Sequence, residues 1–325
     1  MKAPKIRLGF KGLIVNTLYI FAGGILVWSI FKVFNFSTPT EGDEAYQLHI
    51  KKEYAVYAPI LPEKLDFAGE NVPLENFDVR EALDKELLKT MYWHSEIFLY
   101  IKRANRYFPE IEKILKKHNI PDDFKYLALA ESGLDNVTSP ANAVGYWQFL
   151  KATGKEFGLE ITDEVDERYH YIKSTEAACL YLKKMYAKYK SWSLVAASYN
   201  MGTGALDESM TWQNATSYYD MLLNTETSRY LYRILAYKLI LTKPEDYGFR
   251  YRSKDLYPPF KTKKIEIDSS VTDFVKFAKQ LSVNYKLFKI LNPQFRKTSF
   301  KNTTGKKYEI MLPDENMRSK LYNAE

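Results

Sequence analysis

Apolar and polar positions alternate differently along successive stretches of the chain. The first stretch is the uncharged run Gly12–Phe31, GLIVNTLYIFAGGILVWSIF, closed by Lys32. It has no polar face at any helical period. Its 20 residues, at about 1.5 Å each, match a hydrocarbon core of about 30 Å. It is too long for the apolar part of a cleaved signal peptide, and the exit Lys32-Val-Phe-Asn-Phe-Ser offers no small-residue cleavage site. An uncleaved transmembrane signal anchor is expected over residues 12–31. Lys2, Lys5, Arg7 and Lys11 precede it, so residues 1–11 read as a cytoplasmic basic tail and everything beyond the anchor as extracytoplasmic.

Residues 32–79 hold no sustained period. With Pro39, Pro59, Pro62 and Pro73 among mixed charges, they read as a linker or extension, partly extended or lid-like. Helical periodicity then sets in. Leu83, Leu87, Met91, His94, Phe98 and Ile101 recur at three- and four-residue steps and predict one amphipathic helix of about five turns. A second helix is expected from about Pro109 to Lys117, ending before Asn119-Ile120-Pro121. Asp122 and Asp123 have the right charge to open the next.

That next helix, DDFKYLALAESG, places Phe124, Leu127, Ala128 and Glu131 on one face and stops at Gly133. A carboxylate aimed into apolar surroundings holds its proton more tightly and can serve as an acid near neutral pH. The helix alone leaves a second reading open, a glutamate at a frayed end reaching water past the last turn. Glycines sharpen the picture. Only 14 occur in 325 residues, yet six lie between Gly133 and Gly204, in ESG, VGYWQF, ATGKEFG and YNMGTG. Each punctuates a helical segment where the chain must turn or approach a ligand closely. With Asn142, Gln148, Asn200 and a row of aromatics (Tyr146, Trp147, Phe149, Trp192, Tyr199), they suggest a polar groove between helices. Each aromatic, taken singly, is also an ordinary core residue.

Composition narrows the classes of function. The chain is 46% hydrophobic and 27% charged, as a globular protein is. One Cys excludes a disulfide framework, and Cys179 reads as a small core residue. Four His (His49, His94, His118, His170) show no metal-ligand spacing, so neither metal nor cofactor is expected. The net charge of +7 would suit a nucleic-acid binder, but four of those charges flank the anchor. What remains is too diffuse for such a partner.

The motifs Glu131-Ser132, Gly145-Tyr146-Trp147-Gln148-Phe149, Ser198-Tyr199-Asn200-Met201-Gly202 and Tyr230 occur in this order, embedded in helices. With the surrounding segments, over residues 80–247, they resemble the SLT catalytic domain of lytic murein transglycosylases. The likeness is greatest to the membrane-bound D type, related to goose-type lysozyme. The resemblance implies a mainly α, lysozyme-like domain that cleaves the MurNAc–GlcNAc β-1,4 bond of peptidoglycan without water. Glu131 would be the one catalytic residue, first acid and then base, and the N-acetyl group of the substrate would assist. Ser139, Tyr146, Gln148, Tyr199, Asn200 and Tyr230 would bind substrate or support the acid. Asp166-Glu167-Arg168 would be structural, although the cluster Asp163, Glu164, Asp166, Glu167 reads by itself as a charged surface turn. Asp135 is expected to be solvated. D-type relatives are often lipoproteins; no Cys precedes Cys179, so anchoring falls to residues 12–31.

Arg250, Arg252, Pro258 and Pro259 mark an unpatterned linker over residues 248–261. Beyond it, Lys263–Ile267 reads as a strand, Thr272–Leu281 and Tyr285–Leu291 as helices and Lys307–Leu312 as a strand. This βααβ order, with Leu291-Asn292-Pro293 and Tyr308-Glu309-Ile310-Met311-Leu312-Pro313, resembles a LysM module over residues 262–325, a binder of N-acetylated glycans. The whole reads as a bacterial inner-membrane protein with a periplasmic domain that meets peptidoglycan strands. Two other readings stay open: a hydrolytic muramidase on the same scaffold, or a non-catalytic wall-binding protein.

Overall fold

The computed structural model describes residues 57–315 and 317–322. The basic tail and the expected anchor over residues 12–31 lie outside the described residues. No helix among the described residues is long and apolar enough to cross a membrane.

The fold is mainly helical. A short hairpin, β1 (Asp66–Phe67) and β2 (Glu70–Asn71), precedes α1 (Phe77–Met91), α2 (His94–Lys117), α3 (Phe124–Ser132) and α4 (Lys151–Glu156). Then come α5 (Tyr171–Tyr189), α6 (Trp192–Met201), α7 (Thr203–Gln213) and α8 (Thr225–Thr242). Helix α8 is the centre. It buries Tyr230, Leu231, Tyr232, Ile234, Leu235, Ala236, Tyr237 and Ile240, nearly all round its axis, and packs on α1, α3 and α6. Asn224 caps it, its side chain accepting from the backbone amides of Glu226 and Thr227.

The periodicity across residues 83–101 belongs to two helices rather than one. The chain breaks at Tyr92–Trp93: Trp93 leaves helical dihedrals (ψ 57°), and its amide tightens the last turn of α1 onto the Thr90 carbonyl. Trp93 then packs edge-on against Tyr100 and His94 against Phe249. The expected helix start at Pro109 is an interior position of α2. A mid-helix proline costs about 3 kcal/mol, but the buried stripe of α2 runs unbroken through it, from Ile97 and Ile101 to Phe108, Ile111 and Leu115. That burial outweighs the lost hydrogen bond.

Part of the expected linker is core. Leu65, Phe67, Val72 and Leu74 are buried in the same apolar cluster as the helices. The hairpin turns at Ala68 and Gly69, both at positive φ (54° and 82°).

The C-terminal module consists of β3 (Thr262–Ile267), α9 (Phe274–Gln280), α10 (Tyr285–Leu291) and β4 (Tyr308–Pro313), followed by one turn, α11 (Met317–Lys320). β3 and β4 pair antiparallel, from Thr262 opposite Pro313 to Ile267 opposite Tyr308. Its core is aromatic, built from Phe274, Phe288, Phe295 and Phe300 with Ile310 and Leu312. The fully buried Asn292 amide exchanges two 2.8 Å hydrogen bonds with the Met311 backbone and locks α10 to β4.

Residues 160–168 do not behave as a charged surface turn. Val165 is buried in the module core and bridges to Phe295. Asp166 and Arg168 are buried as an ion pair at 2.7 Å. The segment before the module is also pinned. Arg106 donates to the Pro258 carbonyl at 3.0 Å and lies 4.3 Å from the Phe260 ring centre.

Candidate active site

Helix α3 ends at Gly133, whose φ of 61° closes the helix in the left-handed region. Glu131, two residues earlier, is half-buried. The Tyr230 hydroxyl, from the buried middle of α8, donates to its Oε1. Burial pushes the Glu131 carboxyl up to about 7. The Tyr230 hydrogen bond and Arg233 work against that rise; Glu226 works with it.

The expected site residues are distributed around this pair unequally. Tyr199, near the end of α6, donates its phenol proton to the Trp147 carbonyl at 2.6 Å and packs on Trp147, Phe149 and Tyr181. Burial, and then the nearby Glu131 charge, hold its own pKa well above the usual phenol value. Asn200 bridges helices: its Nδ2 donates to Glu226 at 3.3 Å, and its Oδ1 accepts from the Thr227 hydroxyl at 2.8 Å. Gln148, at φ 48°, spends its amino group on the Gly145 and Val137 carbonyls and pins the loop beside α3. Ser139 accepts from the Ala143 amide at 3.0 Å and organises a tight turn of the same loop.

Tyr146 goes elsewhere. Its carbonyl accepts from Ser132 Oγ at 2.8 Å, but its buried ring faces Tyr107 (centroids 5.1 Å) and Tyr171. There it lines a cavity of about 30 Å³ with His170, Phe260 and Pro293, at the junction with the C-terminal module. Asp135, expected to be solvated, is half-exposed and paired with Arg103 at 2.7 Å.

Two further participants, Glu226 and Arg233, carry no sequence signal of their own, and Arg168, expected to be structural, is a third. Glu226 looks like an ordinary acidic residue in the first turn of a helix. Arg233 lies one turn beyond Tyr230. Arg168 fastens the site loop from behind, donating to the Asn142 and Phe149 carbonyls at 3.2 and 3.0 Å. The loop's close approach also needs Gly145, where a Cβ would stand 2.0 Å from the Arg168 carbonyl oxygen.

A half-buried glutamate held by a tyrosine phenol at a helix end, its carboxyl raised to about 7, can exchange a proton near neutral pH. Residues 108–222 match the family model described as "Transglycosylase SLT domain", and residues 263–316 that of the "Soluble lytic transglycosylase C-terminal LysM-like domain". Among individual proteins the chain is similar to "Membrane-bound lytic murein transglycosylase D" of Escherichia coli strain K12. The two are 31% identical over 198 residues, 58% of this chain and 43% of that protein. The same figures hold for the protein of E. coli O6:H1. A "Putative tributyltin chloride resistance protein" of Alteromonas sp. strain M-1 is 30% identical over 104 residues, 31% of this chain and 50% of that protein. The chain thus matches half or less of the length of these relatives.

Proposed function

We propose that this protein is a peptidoglycan lytic transglycosylase, with Glu131 as its single catalytic acid and base. The carrying observation is the Glu131–Tyr230 pair: a carboxyl raised to about 7 and oriented by a buried phenol. A pKa near ambient pH suits a group that must both give and take a proton. Protonated Glu131 gives its proton to the leaving glycosidic oxygen. As a carboxylate it then removes the proton of the muramyl 6-hydroxyl, which closes the 1,6-anhydro ring. Retaining and inverting glycosidases commonly use two carboxylates. Here Asp135 is tied to Arg103 and Glu226 to Asn200, so the second role falls to the N-acetyl group of the substrate.

Gln148, Tyr199 and Asn200 line the groove, Ser139 shapes its loop, and Tyr230 orients the acid. Tyr146 serves as a packing residue. The catalytic unit of residues 80–247 is held in the inner membrane by residues 12–31 and faces the periplasm, where it meets glycan strands. The name of the E. coli relative, "Membrane-bound lytic murein transglycosylase D", supports membrane association. The LysM-like domain adds contact with the same strands.

Digestion of purified peptidoglycan followed by mass spectrometry tests the reaction. Anhydro-muramyl products, one water lighter than hydrolytic ones, are expected. Reducing ends alone would mean a muramidase, and no products a binding protein. The Glu131→Gln variant is expected to remain folded and to lose cleavage by at least a thousandfold.

A further inference from the structure

The side chains around the reacting bond come from three helices: Glu131 from α3, Tyr199 and Asn200 from α6, and Tyr230 from α8. Seven or eight residues away from these side chains, about 10–12 Å along a helix axis, all three helices meet the β1–β2 hairpin. Asp123, just ahead of α3, accepts from the Ala68 amide at 2.6 Å. Lys238 of α8 donates to the Asp66 carbonyl and carboxylate at 2.8 and 3.1 Å and to Asp123 at 2.8 Å. Fully buried Phe67 packs on Phe124 of α3 (centroids 5.4 Å), which packs in turn on Trp192 of α6 (5.1 Å).

Glu70 makes the contact with α6. Its carboxylate accepts from the backbone amides of Trp192 and Ser193, the second at 3.0 Å. It also accepts from the hydroxyls of Ser191 and Ser193 at 3.1 and 3.2 Å. The first turn of α6 has no acidic residue of its own. The negative end that complements its dipole therefore comes from about 120 residues earlier in the chain. Without Glu70, two of the orphan amides at this helix start lose their acceptor. The other end of α6, ten residues long, is where Tyr199 and Asn200 meet Trp147 and Thr227.

We propose that Glu70 is a positioning residue for the Glu131 site. By fixing the start of α6 it sets where Tyr199 and Asn200 stand against Glu131, while the rest of the hairpin keeps α3 and α8 in register. The proposal rests on the reading of Glu131 as the catalytic acid. It assigns a role to a residue outside the 108–222 match.

The test uses the full chain in detergent with two variants, Glu70→Gln and Glu70→Ala, and two readouts. One is the titration of the Glu131 carboxyl by carbon-13 NMR; the other is the kinetics on purified glycan strands. Ile114→Val, in the buried face of α2, serves as a destabilised control. Loosening α6 admits water around Glu131, so its titration is expected to move down from near 7 toward the ordinary glutamate range in both variants. At the same time kcat should fall about tenfold, with KM within twofold. Glu70→Gln keeps one acceptor oxygen and should lie between wild type and Glu70→Ala. Should Glu70→Ala not fold, Glu70→Gln decides. If both variants melt earlier but keep the wild-type titration and rate, as the control should, Glu70 is only a stabilising cap and the proposal fails. A wild-type protein that cleaves nothing would refute the catalytic reading instead, while the titration still decides the role of Glu70.

Discussion

At the scale of single residues, two titrating groups in apolar surroundings pull the pH dependence of stability in opposite directions. Glu131 titrates near 7 when folded and near the ordinary value of about 4.3 when unfolded. The folded state holds the proton more tightly, so this contribution is complete at low pH and is lost as pH rises through about 7, a change on the order of 3 kcal/mol. Glu131→Gln removes it. That variant is expected to melt several degrees above wild type at pH 8 and level with it at pH 4.5, as measured by calorimetry. A lower melting temperature at pH 8 would show that Glu131 is not held in an apolar setting. His170 has the reverse sign. It is buried, accepts from the Lys173 amide at the start of α5, and is pushed down to about 4 by burial, with Lys173 and Lys264 adding and Glu309 opposing. The unfolded chain takes up that proton first, near the ordinary value of about 6.5. Stability from neutral His170 is therefore full above that pH and lost as pH falls toward 4. His170→Asn, which keeps a capping acceptor, should flatten the acid side of the stability profile. An unchanged acid limb would rule His170 out as its source.

At the scale of elements, the loop from Ser139 to Phe149 decides the shape of the site. Glycine clustering pointed to a turn here but not to its cause. Gly145 lies against the carbonyl of Arg168, and Arg168 in turn reaches back to two carbonyls of the loop. Gly145→Ala at φ 80° drives a methyl group into that backbone oxygen, and neither partner is a flexible side-chain end. A loss of about 3 kcal/mol or more in denaturant unfolding is expected, together with loss of cleavage because Gln148 and the Trp147 carbonyl shift. A variant with wild-type midpoint would mean the loop relaxes freely. The helix boundaries at Trp93 and through Pro109 teach a related lesson. Periodicity marks which face is buried, but a break with no glycine or proline, or a proline overridden by packing, leaves that face unchanged.

At the scale of the whole molecule, the C-terminal module is docked rather than strung on a loose tether. The 160–168 segment of the helical domain contributes Val165 to the module core, and Asp166 donates its amide to the Gln294 carbonyl at 2.8 Å. Arg296 lies over the Tyr169 ring at 3.7 Å, and Tyr308 donates to Glu160. The same segment carries Arg168, so the module buttresses the site loop from outside. One cooperative unfolding transition is expected for residues 57–322 rather than two. A chain ended at residue 261 should cleave even short soluble glycans at least fivefold more slowly, although it has lost no groove residue. Full activity on short glycans would make the module an independent binder.

Much of this protein could be read along the chain. Helical period placed Glu131 on the apolar face of its helix, Gly133 ended that helix, and the βααβ order of the C-terminal module followed from short patterned runs; all of this depends on neighbours within a few residues. The tertiary structure decided what depends on residues far apart in sequence. Tyr230 meets Glu131 across 99 positions because α8 packs on α3, and that contact together with burial sets the acid's pKa. Packing also set Tyr146 against Tyr107 and Tyr171, drew the Leu65–Leu74 stretch into the core, and brought Glu70 to the start of α6. Local periodicity records which side of an element faces inward, whereas only the assembled core determines what that side meets there.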